Sequence, residues 1–212
     1  MSSSAPIIHV IDDDASFRAG ISRLLKACGY QVAVYESAHE FLQNPTGDGP
    51  GCILLDVRMQ GLSGPQLQAH LAGTGNDLPI VFLTGQADIP TTVQAIKAGA
   101  EDFLTKPVSK RILLPSIERA LARRVELKKR NALLDNLRAL TGSLTPRERE
   151  VFALVVRGKR NKQIAYELGT SERTIKAHRH AVMEKLHVRS VAEAAAIAER
   201  LGLLADSGNS SR

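Results

Sequence analysis

The chain has 212 residues with a formal net charge of +6, two cysteines and no tryptophan. That length accommodates two modest domains, and Cys28 and Cys52, both in apolar surroundings, argue against a disulfide framework or a cysteine-based metal site and for a reducing compartment. No apolar run approaches a membrane span, and the opening Met1-Ser2-Ser3-Ser4-Ala5-Pro6 is too short and polar for a signal peptide, so a cytoplasmic protein without membrane contact is expected. Charge divides unevenly. Residues 1–110 carry 7 Lys/Arg and 11 Asp/Glu, a net of −4, whereas residues 111–212 carry 21 and 11, a net of +10. An acidic half suits a bound cation and a basic half suits a polyanion, although solvated basic helices alone would give the same count.

In chain order, short apolar runs alternate with helical patterns. Residues 7–11 read as a first strand, and residues 16–27, with Phe17, Ile21, Leu24 and Leu25 on one face, as a helix closed by Gly29. Residues 31–35 follow as a strand, then a short helix over 38–43 and a turn-rich stretch to Gly51. Residues 52–55 and 80–83 are further buried strands, with helices expected over 65–71 and from near Pro90 to Gly99. The fifth strand lies near 102–105. Five such units predict an α/β flavodoxin-like, doubly wound parallel sheet whose first and third strands flank the crevice.

Residues 109–140 read as helix, in which Pro115 should force a kink or a fresh start. Its first part packs on the sheet; the remainder, rich in Leu at spacings of three or four, serves as a linker or a dimer seam. Thr145 as N-cap, Pro146 at the first position and Glu148 three residues on form a strong start signal for a second, all-α domain of four short helices. The expected division is 5–124, then a helical linker over 125–142, a helical domain over 143–204 and a disordered tail over 205–212.

The chemistry sits where strands end. Asp12, Asp13, Asp56, Thr84 and Lys106 each follow an apolar run, so a parallel sheet gathers them on its carboxyl rim. Crowded carboxylates repel unless a hard divalent cation joins them, which predicts Mg²⁺ held by Asp12, Asp13, Asp56 and the backbone carbonyl of Arg58. Asp56 is the expected nucleophile toward a phosphoryl group, and Lys106 and Thr84 would stabilise the product. Singly, an Asp after a strand is most often a turn or cap residue; Asp14 is expected to be surface or helix-terminal charge.

These residues resemble the receiver domain of bacterial two-component response regulators. The resemblance spans residues 6–120 and rests on Val10-Ile11-Asp12-Asp13, Leu55-Asp56-Val57-Arg58-Met59 with Ser63-Gly64, Leu83-Thr84-Gly85, Lys97-Ala98-Gly99-Ala100, and Asp102-Phe103-Leu104-Thr105-Lys106-Pro107. It implies a sensor histidine kinase as phosphoryl donor, a cis Lys106–Pro107 bond, and Phe103 as an aromatic that turns as Thr84 moves inward. A plain core aromatic is the competing reading of Phe103. Gln60 departs from the proline usual after Met59, which loosens the adjoining loop without removing any chemistry.

In the basic half, residues 161–181 have the form of a helix-turn-helix. Ile164, Ala165 and Leu168 pack one helix, Ile175, Val182 and Leu186 the next, and Arg173, Lys176, Arg179 and His180 point outward. Residues 144–151, Gly158, residues 161–165, Ser171, residues 174–176, His178 and Lys185-Leu186 resemble the LuxR-type DNA-binding domain, and the whole resembles the FixJ/NarL class. By that resemblance Lys176, Ala177 and His180 would face bases of double-stranded promoter DNA. Thr174, His178, Arg179, Asn161 and Lys162 would hold its backbone.

A phosphorylation-switched transcription factor follows, working as a homodimer or by unmasking its recognition helix, with RNA polymerase as a further partner and no enzymatic activity beyond its own phosphorylation and dephosphorylation. Activation of transcription is favoured on resemblance. The competing readings are a stand-alone Mg²⁺-dependent phosphotransfer enzyme, which leaves residues 143–203 idle, a constitutive DNA binder with other regulatory input, and a LuxR-type sensor of a small ligand.

Overall fold

A computed structural model describes residues 5–44, 49–85 and 89–204, which divide into two compact units, 1–128 and 129–212. In the first unit five parallel strands, β1 (Ile7–Ile11), β2 (Gln31–Tyr35), β3 (Gly51–Asp56), β4 (Ile80–Thr84) and β5 (Asp102–Thr105), form a sheet ordered β2-β1-β3-β4-β5. This is the expected doubly wound order.

The central strands β3 and β4 are buried along their whole length because helices cover both faces of the sheet. Side chains alternate between two cores: Ile11, Ile53, Leu55 and Phe82 pack under α2 (Ala38–Gln43), α3 (Gly64–Gly73) and α4 (Ile89–Lys97). Ile8, Val10, Leu54, Val81 and Leu83 pack under α1 (Ala15–Ala27) and the start of α5 (Lys110–Gly142). Each fully buried aliphatic side chain contributes about 2 kcal/mol of transfer free energy.

Helix α5 runs unbroken through Pro115, so the fresh start that was one of the two expected outcomes there does not occur. Pro115 removes one hydrogen bond near the helix start, to the carbonyl of Arg111. Both residues are exposed, where water can take that carbonyl, while Leu113, Ile117 and Ala120 hold the opposite face in the core. Farther along, Leu137 is buried and Leu140 packs beside it against Leu144 and Phe152 of the second unit. Leu137 and Leu140, within the expected 125–142 helical linker, thus pack into the core of the second unit.

The second unit adds α6 (Pro146–Val155), α7 (Asn161–Glu167), α8 (Glu172–Lys185) and α9 (Val191–Arg200). Thr145 caps α6 with the reciprocal Glu148 bond that its spacing predicts. The expected disordered tail, 205–212, lies outside the described residues. Among the described residues no helix is long and apolar enough to cross a membrane.

Candidate functional site

Register builds the acidic site. Ile11 pairs with Leu55 in the β1–β3 ladder, so the next residues, Asp12 and Asp56, stand side by side. Asp56 pairs with Leu83, and Thr84 pairs with Thr105, which puts Thr84 and Lys106 one step farther along the same rim. Asp12, Asp56 and Thr84 are buried, Asp13 is exposed and Lys106 lies between these extremes. A cleft of about 500 Å³ opens over them, lined by Asp14, Asp56, Arg58, Thr84, Gly85 and Lys106.

The Lys106 ammonium lies 2.5 Å from Asp12 Oδ2 and 3.0 Å from Asp56 Oδ1. Burial pulls the Lys106 pKa down, but hydrogen bonds to Asp12 and Asp56 outweigh it and the net shift is upward. Burial pushes the Asp56 carboxyl up, and Lys106 opposes the shift without cancelling it. Oxygens of Asp12, Asp13 and Asp56 lie within 4.8 Å of one another. Three hard carboxylate donors so close, with one exposed to solvent, fit a divalent cation such as Mg²⁺.

The loop after β3 is held close to the site. Gly64 N–H donates to the Val57 carbonyl at 3.1 Å, and any Cβ on Gly64 would collide with the Asp56 carbonyl oxygen. Arg58 is exposed at the cleft mouth. The Lys106–Pro107 bond is cis. Phe103 is half-buried with its ring centroid 5.9 Å from that of Phe82, at the edge of the core. Asp14 caps α1, accepting from Ser16 N and Phe17 N.

Sequence reasoning missed Arg18, whose Nη1 donates to the Asp12 backbone carbonyl at 2.5 Å. A signal existed: a cation in the first turn of a helix opposes the helix dipole and calls for a local acceptor.

In the second unit Ile164, Ala165, Ile175, Val182 and Leu186 are buried as the helix-turn-helix pattern requires. Gly169 takes φ +62 in the turn, and Thr170 N–H reaches back to the Ala165 carbonyl at 2.9 Å. Ser171 caps α8 by accepting from Thr174 N–H. Arg173, Thr174, Lys176, Ala177 and His180 are exposed along α8, as is Lys162 at the start of α7; His178 is half-buried. Arg179 is also half-buried and donates to Asn161 Oδ1 at 2.8 Å, tying α8 to the first turn of α7. Another missed residue, Arg147, donates from Nη2 to the Leu168 carbonyl at 2.6 Å and pins the turn to α6.

Residues 8–118 match the response regulator receiver domain, and residues 142–198 match the bacterial regulatory proteins of the luxR family. The chain belongs to the response regulators. Nodulation protein W of Bradyrhizobium diazoefficiens is 41% identical over 204 residues, covering 96% of this chain and 90% of that one. The transcriptional regulatory protein FixJ of the same organism is 39% identical over 199 residues, covering 94% and 97%. The solved structure of the response regulator StyR aligns with a TM-score of 0.80 and 44% identity over 93% of this chain and 100% of that one. This response regulator therefore joins a receiver domain of flavodoxin-like fold to a LuxR-type helix-turn-helix domain, the composition of a two-component transcription factor. The acidic rim falls within the receiver match, and the exposed row on α8 within the luxR-family match.

Proposed function

We propose that Asp56 accepts a phosphoryl group from a sensor histidine kinase and that this modification governs promoter binding through α8. The supporting observation is the convergence of Asp12, Asp13, Asp56, Thr84 and Lys106 on one strand-end rim. In the transfer, an Asp56 carboxylate oxygen forms a bond to phosphorus as the N–P bond of the donor phosphohistidine breaks, leaving a mixed anhydride. Lys106, already beside Asp56, balances charge on the transferred group. The Thr84 hydroxyl donates to a phosphoryl oxygen, and Phe103 turns as Thr84 is drawn inward. Asp12, Asp13, Asp56 and the Arg58 carbonyl would hold Mg²⁺, which when bound neutralises phosphoryl oxygens. The response regulator acts on no separate substrate; its chemistry is confined to its own phosphorylation and dephosphorylation.

Phosphorylation would then pair two receivers across the face of α4 and β5. Ile89, Val93 and Ile96 of α4 are exposed, Ile89 at 80%, which supports an apolar pairing surface there. Two LuxR-type domains so linked bind a two-fold site more tightly without new contacts. On DNA, Lys176, Ala177 and His180 would meet bases, with Arg173, Thr174, His178, Arg179, Asn161 and Lys162 on the backbone and RNA polymerase recruited beside them. Cytoplasmic location and activation of transcription belong to the same reading.

The test is treatment with Mg²⁺ and acetyl phosphate or beryllofluoride, with solution mass and promoter affinity measured for wild type and Asp56→Ala. Dimerisation or tighter DNA binding in wild type alone is expected. The same behaviour in both proteins, or none in either, would sink the proposal.

A further inference from the structure

Phe17 lies four residues beyond Asp13, on the core-facing stripe of α1. Its ring does more than pack: the Lys106 ammonium stands 4.3 Å above the ring centroid. The ammonium has three donor directions. Two are used by Asp12 at 2.5 Å and Asp56 at 3.0 Å, and the ring covers a further side of the charge.

The backbone that carries the ring is tied to the loop that carries the acids. Asp14 Oδ1 accepts from Phe17 N–H at 3.1 Å, and Asp12 Oδ1 accepts from Asp14 N–H at 3.0 Å. Phe17 packs against the core that holds Ile8, Val10 and Leu83. Acid, cap and ring thus form one unit, and Lys106 meets two parts of it.

We propose that Phe17 is a positioning residue for Lys106: its π-face keeps the ammonium inside the acidic rim, where a phosphoryl group on Asp56 would need it. The inference rests on the phosphorylation of Asp56 proposed above. A lysine is a compact charge on a long flexible stem, and an ammonium in water gains little from staying in one place. The aromatic quadrupole attracts the cation, and the ring takes a place that water would otherwise fill. A charge held ready at the reacting centre needs no reorganisation when the transfer occurs.

Acetyl phosphate tests this without a kinase, so that any partner contact made by α1 does not enter. Asp56 gains the O–P bond and acetate leaves. Phosphorylation rates at saturating Mg²⁺ are to be measured for wild type, Phe17→Leu, Phe17→Tyr, and a series with 4-fluoro- and 3,4,5-trifluorophenylalanine at position 17. Phe17→Leu is expected to slow the saturated rate roughly threefold to tenfold, the range of a partly desolvated cation–π contact. Phe17→Tyr should stay near wild type, and the fluorinated series should slow in step with the loss of ring quadrupole at nearly constant shape. Proton exchange of the Lys106 ¹⁵Nζ resonance should quicken in the same order. A Phe17→Leu protein with wild-type rate and wild-type Lys106 exchange would overturn the proposal. So would a trifluorinated protein that matches phenylalanine, since the ring would then act by shape alone. The fluorinated chains keep the shape of the ring, so they decide the matter even if leucine lowers the unfolding temperature. Failure of wild type to form any Asp56 adduct would instead remove the phosphorylation reading beneath it.

Discussion

Lys106 and Asp56 meet at 3.0 Å although β4 separates the strands that deliver them. The contact leaves Asp56 above its ordinary pKa of 3.8, because burial outweighs the lysine. A group raised on folding contributes stability below its unfolded pKa and loses it as pH rises through the folded value. Above its folded pKa the ionised Asp56 therefore weakens the first unit when no divalent cation is present. Asp56→Asn is expected to unfold at a higher temperature than wild type at pH 7 in a chelating buffer. The advantage should shrink toward pH 3.8 and also on adding Mg²⁺ to both proteins. Circular-dichroism melts across that range check it, and a lower melting temperature for Asp56→Asn at pH 7 would refute it.

Glu148 titrates in the opposite sense. The Lys185 ammonium, then the Thr145 backbone N–H, hold its carboxyl down to about 2 from the usual 4.5. A depressed carboxyl contributes stability above its unfolded pKa and loses it as pH falls through the folded value. The second unit should therefore weaken between pH 4.5 and 2, and Glu148→Gln should flatten that part of the profile. Hydrogen exchange of α6 and α8 amides in the full chain is the measurement; an unchanged acid limb in the variant would count against it.

Arg124 on α5 is buried and donates to Asp77 Oδ1 at 2.6 Å and to the Gly49 carbonyl at 3.2 Å. Removing the acid strands a guanidinium in the interior, whereas removing the arginine leaves an acid that water can reach. Asp77→Ala is expected to cost about 3 kcal/mol, the low end for breaking a buried pair, and Arg124→Met distinctly less. Urea unfolding of the two variants decides it: equal losses, or the reverse order, would contradict the asymmetry.

Two lysines of the DNA-binding domain should behave differently. Lys162→Ala is expected to weaken binding equally on all sequences and to lower the salt dependence by about one ion. Lys176→Ala should cost about 1–3 kcal/mol on the preferred site and relax the preference at one base position. Titrations on specific and scrambled duplexes at several salt concentrations separate the two, and identical profiles would remove Lys176 from base reading.

Much of the fold was legible because its determinants are local. Runs of four or five mostly apolar residues between turn residues announced the five strands, and the Thr145–Glu148 spacing announced α6. The acidic rim could be foreseen as well, since parallel strands deliver whatever follows them to one edge. A fresh helix start at Pro115 follows from the same kind of local rule, which weighs one lost hydrogen bond but not the burial of Leu113, Ile117 and Ala120 around it. Likewise the leucine spacing in α5 did not say that Leu137 joins the second core.

The amino-acid sequence by itself determined which residue types stand at strand ends and helix caps, and so the class of fold and the kind of chemistry. Tertiary structure alone decided the pairings: Lys106 with Asp12 across 94 residues, Arg124 with Asp77 across 47, Arg179 with Asn161 across 18, and Phe17 beneath Lys106. Spacing rules reach one turn or one strand. Which charge meets which depends on strand register and helix seating, summed over many hydrogen bonds and buried side chains at once.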